Sequence, residues 1–167
     1  DGKSVTFTLR KGVKFHSTSY FTPTRDFNAD DVIFTFSRLF DVYNPYHFVG
    51  DANYPYFQSV GLDQLIRKIV RVSDYQVRFE LFHPESSFLT NMATDFAVVL
   101  SQEYAMQLKA RDQTNLFDQY PIGTGPYIYK EYRRDHLVRF YRNPLYWKHD
   151  VALEQLVYDI TTNGTTR

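Results

Sequence analysis

The sequence predicts an α+β protein in which helices flank a mixed β-sheet. Several short segments alternate apolar and polar side chains, which is the pattern of half-buried strands. Two other segments place apolar residues on one helical face, and each begins at a residue type that caps helices. The predicted order is strand, helix, hairpin, helix, helix, hairpin and strand, without the regular strand–helix alternation of a parallel sheet.

The amino-terminal part supplies the first strand and the clearest helix. Residues 5–9 alternate as a strand, and residues 13–15 are expected to continue it after a turn at Lys11 and Gly12. Asn28 then caps a helix with two aspartates in its first turn, where the helix dipole favours negative charge. The apolar stripe of this helix consists of Val32, Ile33, Phe36, Leu39 and Phe40.

Residues 41–61 show no periodicity and are rich in aromatic side chains, Pro and Gly, so we expect a loop with at most a short helical turn. Loops this long are uncommon in compact domains unless they have a function. A hairpin follows, with strands at residues 69–72 and 75–81 around a turn at Ser73 and Asp74.

The next segment contains two further helices. A short helix is expected after Ser86 or Ser87, followed by an extended segment at residues 96–100. Ser101 caps a second well-supported helix, and residues 113–120 form a polar connection.

The last elements are a second hairpin, at residues 126–132 and 137–142 with a turn near Arg134 and Asp135, and a strand near residues 156–160. The chain has no initiator Met and begins within a strand pattern. We therefore expect it to be a segment of a longer mature protein.

Composition excludes several functional classes. Nineteen basic residues balance nineteen acidic ones, which disfavours a nucleic-acid-binding surface. The absence of Cys excludes disulfides, thiolate metal sites and cysteine nucleophiles. The longest apolar runs are far shorter than the roughly 20 residues that span a bilayer. Aromatic residues make up 18% of the chain, which suits core packing and also ligand-contacting walls that stay wettable.

The sequence contains no recognisable catalytic, metal or cofactor motif, so we expect no enzyme activity, no metal and no cofactor. The five histidines are scattered and lack the spacing of a helical zinc site. One of them, His47, lies in the aromatic loop and is kept as a possible ligand contact. The adjacent Asp30 and Asp31 do not face each other on a helix, and the helix start explains them.

Two glycines flank Thr124, in the run from Gly123 to Tyr127. Glycines allow close approach of a ligand or of another backbone segment. The backbone conformation needed at the start of a strand would explain the two glycines equally well. The residues alone do not decide between these two interpretations.

Four motifs in this order resemble one known family, the extracellular solute-binding proteins of family 5, which serve bacterial ABC importers. The motifs are residues 7–16 (FTLRKGVKFH), 28–36 (NADDVIFTF), 122–127 (IGTGPY) and 142–147 (RNPLYW). Within the family, residues 21–25 and 44–47 are similar to the dipeptide-binding and Sap branch. The resemblance is closest to the periplasmic component of the Sap system. That system is linked to peptide uptake and to resistance to antimicrobial peptides.

The resemblance implies a two-lobed periplasmic binding protein of type II, similar to cluster C, of which this chain would be part of lobe I. Residues 1–120 would form the extra subdomain of that lobe, and residues 121–167 part of its central sheet. Lobe II, which supplies the main charged contacts to peptide termini in relatives, would lie outside this chain.

By resemblance, the protein would be periplasmic, would capture peptides between its lobes, and would deliver them to the permease subunits of an ABC transporter as a monomer. Two alternatives stay open. The cargo could be haem or another non-peptide ligand on the same fold, or the aromatic loop could belong to an envelope interaction module.

The resemblance also implies ligand contacts. The aromatic residue after Asn-Pro in the long loop is Tyr46, and the segment after the short helix contributes Thr94, Asp95 and Phe96. The remaining candidates are Thr124 and Gly125 near the lobe junction and, on weaker grounds, Tyr54 and Tyr56 in the loop.

Overall fold

The computed structural model describes residues 2–50 and 53–160. Contacts divide the chain into two compact units. The first unit comprises residues 1–11 and 27–119, and the second comprises residues 12–26 and 120–167. The second unit therefore combines residues 12–26 with the carboxy-terminal part of the chain.

The first unit contains three strands and five helices within its described residues. They are β1 (Ser4–Thr8), α1 (Ala29–Phe40), α2 (Pro55–Ser59), α3 (Leu62–Leu65), β2 (Ile66–Ser73), β3 (Gln76–Leu81), α4 (Phe88–Asn91) and α5 (Gln102–Ala110). Short 3₁₀ turns at Asp95–Ala97 and Thr114–Leu116 complete it. The predicted extended segment at residues 96–100 thus begins as a 3₁₀ turn.

The sheet of the first unit has the order β1-β3-β2, and both strand pairs are antiparallel. Its central strand, β3, alternates buried and half-buried residues, which places Val77 and Phe79 in the core. Helix α1 covers this face, because Phe36 packs edge-on against Phe79 with ring centroids 5.2 Å apart. The alternation that predicted the hairpin is therefore the pattern that buries one face of the sheet.

Two side chains at the start of α1 fix its orientation. The side chain of Asn28 accepts a hydrogen bond from the Asp30 amide at 2.9 Å, and one carboxylate oxygen of Asp31 accepts from the Asn28 amide at 2.9 Å. The other oxygen of this fully buried carboxylate accepts from the Gln102 amide at 2.9 Å. Asp31 therefore joins the amino termini of α1 and α5, a structural role that accounts for its position.

The second unit contains β4 (Tyr127–Arg133), β5 (Leu137–Arg142) and β6 (Gln155–Asp159) as an antiparallel sheet in that order. The expected strand at residues 13–15 is wrong. Val13 and Phe15 are buried, but the segment is irregular, and the next amide, that of His16, donates to the Gly123 carbonyl at 2.8 Å.

The α+β class is confirmed. The strand pairs of the described residues form two antiparallel sheets, where the sequence had suggested one mixed sheet. Short turns within the two hairpins enforce antiparallel pairing, which explains much of the difference. None of the helices in the described part of the chain has the length and apolarity that a membrane span requires.

Candidate functional site

The long loop that follows α1 is fastened to the helix by Arg38, a cation that is only 6% exposed. Its Nε donates to the Tyr46 carbonyl at 3.0 Å, and its Nη2 donates to the Val49 carbonyl at 3.3 Å. The same Nη2 lies 3.0 and 2.8 Å from the two carboxylate oxygens of Asp118. A buried guanidinium needs a counter-charge and hydrogen-bond acceptors; Asp118 supplies the charge and the loop supplies two carbonyl acceptors.

The Asn-Pro-Tyr run of the loop has a structural explanation. The Asn44 side chain donates to the Ser37 hydroxyl at 3.0 Å and accepts from the Tyr46 amide at 2.9 Å. His47 donates from Nδ1 to the Arg38 carbonyl at 2.7 Å, so this histidine fastens the loop to the helix end. His47 is half-buried, and its role as a ligand contact stays a prediction.

Tyr46 is a core residue in this structure, and the expectation that it lines a ligand cleft is corrected. It is 1% exposed, and its ring lies 5.5 Å from that of Phe34 and 5.0 Å from that of Phe117. Its hydroxyl donates to the Ala105 carbonyl. Burial raises the pKa of Tyr46 to about 12, so the phenol stays neutral.

Three of the candidate ligand residues come together at an apolar pocket of about 160 Å³. These are Tyr54, Tyr56 and Phe96. The remaining lining residues are Leu39, Asn53, Pro55 and Phe57. Phe57 is fully buried beneath the pocket and meets Phe96 edge-on at 6.1 Å, whereas Tyr56 is 74% exposed. This cavity, which we call the Tyr56 pocket, thus combines a buried base with an accessible aromatic wall.

Tyr54, which forms one wall of the Tyr56 pocket, contacts the two residues that also fasten the loop to α1, His47 and Arg38. The Tyr54 hydroxyl donates to the His47 carbonyl at 2.8 Å, and its ring centroid lies 5.9 Å from the Arg38 guanidinium carbon. Burial raises the pKa of Tyr54, which keeps its hydroxyl a donor.

The candidates Thr94 and Asp95 are exposed and stand beside Phe96 in the chain. The Thr94 amide and hydroxyl both donate to the Asn91 carbonyl, and the Thr94 carbonyl accepts from the Ala97 amide at 3.2 Å. This turn directs Phe96 to the Tyr56 pocket and leaves the two polar side chains at the surface.

Thr124 and Gly125 belong to the second unit, where the glycine run leads into β4. The Gly125 carbonyl accepts from His16 Nε2 at 3.0 Å and from the Asn143 side chain at 2.9 Å. The Gly123 amide donates to His16 Nδ1 at 3.4 Å. Burial lowers the pKa of His16, which favours the neutral ring that this donor–acceptor pairing requires.

Sequence reasoning did not identify Arg38 and Asp118. The two residues are 80 positions apart, so no local motif joins them. One signal was available: Arg38 lies in the last turn of a helix whose neighbouring positions are strongly apolar.

The chemistry of these sites is contact and hydrogen bonding. Within residues 2–50 and 53–160, no three His, Asp or Glu side chains are grouped closely enough to hold a metal ion. The Tyr56 pocket offers aromatic and aliphatic surface, which suits the burial of an apolar group.

Comparison with known proteins gives matches over the whole chain. The profile of the bacterial extracellular solute-binding proteins, family 5 Middle, matches residues 1–167. The chain is 47% identical to di/tripeptide-binding protein 2 of Pseudomonas aeruginosa, covering all of this chain and 31% of that protein. It is 40% identical to the peptide transport periplasmic protein SapA and 41% identical to heme-binding protein A, both of Haemophilus influenzae, covering 33% and 30% of those proteins.

Solved structures agree with this result. A dipeptide-binding protein from Pseudoalteromonas sp. SM9913, in complex with Met-Leu, superposes with a TM-score of 0.96 at 88% identity, over 99% of this chain and 33% of that one. The periplasmic binding protein DppA of Helicobacter pylori, in complex with the peptide STSA, gives a TM-score of 0.94 at 35% identity, over 99% of this chain and 32% of that one.

The chain spans about a third of the length of these relatives. The expected resemblance to the dipeptide-binding and Sap branch is confirmed, because both kinds of protein are among the relatives. Because the family profile covers every residue, the chain belongs to the bacterial extracellular solute-binding proteins, family 5.

Proposed function

We propose that this chain is part of the periplasmic solute-binding component of an ABC importer that captures short peptides and delivers them to the inner-membrane permease. In this proposal the chain contributes part of one lobe of a two-lobed protein, residues 1–120 as a subdomain and residues 121–167 as part of the central sheet. The observation that carries the proposal is the 88% identity to a dipeptide-binding protein in complex with Met-Leu.

The Tyr56 pocket gives this proposal a physical basis within the chain. An apolar cavity of roughly 150 Å³ holds a group as large as benzene. The Tyr56 pocket, at about 160 Å³, therefore has room for one side chain of the size of Leu or Met. Tyr54, Tyr56 and Phe96 are its proposed contacts, and Thr94 and Asp95 offer polar groups beside it.

Peptide selection then follows from general binding physics. Backbone groups are common to all peptides, so hydrogen bonds to them give broad affinity, while side-chain pockets adjust it. Thr124 and Gly125 of the second unit are proposed backbone-level contacts. Closure of the two lobes around the ligand would shift the protein towards the form that docks on the permease.

The proposal includes the absence of catalysis. The family consists of solute-binding proteins, and capture followed by release requires that the peptide leave unchanged. Incubation of Met-Leu with the purified protein should leave the dipeptide intact.

Calorimetric titration of the family-length protein that carries this chain tests the proposal. We expect saturable, one-to-one binding of Met-Leu, with weaker binding of Gly-Gly because that dipeptide has no side chain to bury. Native mass spectrometry of the protein purified without refolding would identify a bound ligand independently. Failure of every dipeptide and tripeptide in a diverse set to bind would contradict the proposal.

Haem is a second candidate cargo, because a heme-binding protein is 41% identical over the whole chain. Titration with haem and observation of the visible absorption band distinguishes the two. A saturable spectral change without peptide binding would favour haem, and no spectral change would exclude it.

A further inference from the structure

We infer that the pair Arg38–Asp118 is a positioning element for the Tyr56 pocket and thereby determines how well this protein accepts an apolar side chain. The inference rests on the proposed function and adds two residues that make no contact with the ligand in it. Its starting point is that Arg38, the cation that binds the loop, also contacts Tyr54, which lines the pocket.

Arg38 connects three parts of the first unit. Its guanidinium binds the carbonyls of Tyr46 and Val49 in the loop, and the carboxylate of Asp118 beyond α5. The Arg38 side chain is 8% exposed and that of Asp118 is 44% exposed, so the pair lies at the boundary between the interior and solvent. Removing the carboxylate would leave the buried cation without this counter-charge and would weaken its hold on the loop.

Two hydrogen bonds, through His47, and one ring contact join Arg38 to the pocket residue Tyr54. His47 donates to the Arg38 carbonyl at 2.7 Å, and Tyr54 donates to the His47 carbonyl at 2.8 Å. The Tyr54 ring centroid lies 5.9 Å from the Arg38 guanidinium carbon, and Tyr54 also lines the Tyr56 pocket. The position of Tyr54 therefore depends on the carboxyl-terminal end of α1 and on the Arg38 guanidinium.

Gly50 supports the same interpretation from the backbone side. Its φ is +79°, and a Cβ built on it would lie 3.0 Å from a carboxylate oxygen of Asp118. A side chain here would press on the carboxylate and strain the backbone. The loop is therefore fitted closely around the carboxylate that pairs with Arg38.

Asp118→Asn tests the inference in the family-length protein. The substitution keeps the shape of the side chain and removes its charge. We expect the dissociation constant of Met-Leu to rise about 5- to 30-fold while that of Gly-Gly changes less than 2-fold, because only the former uses the pocket. Asp74→Asn, which removes the exposed ion pair to Arg71, is the matched control and should change neither constant.

A role limited to stability would lower both affinities equally or neither, and either result in folded protein would overturn the inference. If Asp118→Asn does not fold, Tyr54→Phe provides the second test, because it keeps the ring that lines the pocket and removes the hydroxyl that binds the His47 carbonyl. It should also weaken Met-Leu selectively, and unchanged selectivity would overturn the inference. Absence of dipeptide binding by the unmodified protein would instead overturn the proposed function.

Discussion

Two irregular segments of this protein are anchored by different chemistry. The aromatic loop of the first unit is held by a charged side chain, Arg38, which binds two loop carbonyls and the Asp118 carboxylate. The glycine run of the second unit is held by the imidazole of His16, one nitrogen of which accepts while the other donates. A guanidinium stays charged at all ordinary pH values, whereas an imidazole fits its two partners only when neutral.

Loops rich in Pro, Gly and aromatic residues can therefore be ordered by one side chain, which comes from a helix in the first case and from another irregular segment in the second. The charged anchor should be strong and insensitive to pH near neutrality. The neutral anchor should be weaker and should fail in acid. Each expectation can be tested by one substitution.

The largest expected effect is that of Arg38→Met. This change retains apolar volume but leaves the carbonyls of Tyr46 and Val49 without the guanidinium that binds them, so we expect a loss of about 3 kcal/mol in the free energy of unfolding. Urea denaturation followed by circular dichroism measures it. Arg71→Met removes the exposed pairs to Asp30 and Asp74 and should cost under about 1 kcal/mol. Equal losses of unfolding free energy in the two variants would contradict the prediction that the buried Arg38 contributes more than an exposed ion pair.

A smaller effect is expected from acid at His16. Burial lowers the pKa of this imidazole in the folded protein, so the unfolded chain binds a proton first. The contribution of the neutral ring to stability is therefore complete above about pH 6.5 and is lost as the pH falls from that value towards the lowered pKa. His16→Gln should cost about 1 kcal/mol at pH 8 through its lost hydrogen bonds and should flatten the decline in stability below pH 6.5.

Thermal unfolding at a series of pH values measures this effect. His83, which is exposed, gives the control, and His83→Gln should keep the steep decline of the unmodified protein. If the stability of His16→Gln falls in acid as steeply as that of the unmodified protein, His16 is not the acid-sensitive anchor.

Much of the fold could be predicted from the sequence because its signals are local. The Asn28 cap, the aspartates after it and the apolar stripe of α1 all lie within 13 residues, and the structure confirms that helix. The same holds for the hairpins, where alternation and turn residues are adjacent in the chain.

The candidate site was harder to predict because it depends on distant partners. Nothing local marks Tyr46 as a core residue, since its burial depends on Phe34 and Phe117. The pairing of Arg38 with Asp118 and the packing of residues 12–26 in the second unit likewise join residues far apart in the chain. Tyr54, Tyr56 and Phe96 were each proposed from the sequence, but only the fold shows that they share one pocket.

Tyr56→Ala is the sharpest test of whether the Tyr56 pocket takes an apolar side chain of a bound peptide. Tyr56 is 74% exposed, so its removal should leave the core intact, and Tyr43, which is 92% exposed in the same loop and does not line the pocket, is the matched control. We expect Tyr56→Ala to weaken Met-Leu binding about 10-fold, equivalent to about 1.4 kcal/mol. Gly-Gly binding by this variant, and binding of both dipeptides by Tyr43→Ala, should stay within about 2-fold of the unmodified protein. Unchanged Met-Leu affinity in Tyr56→Ala would contradict this expectation.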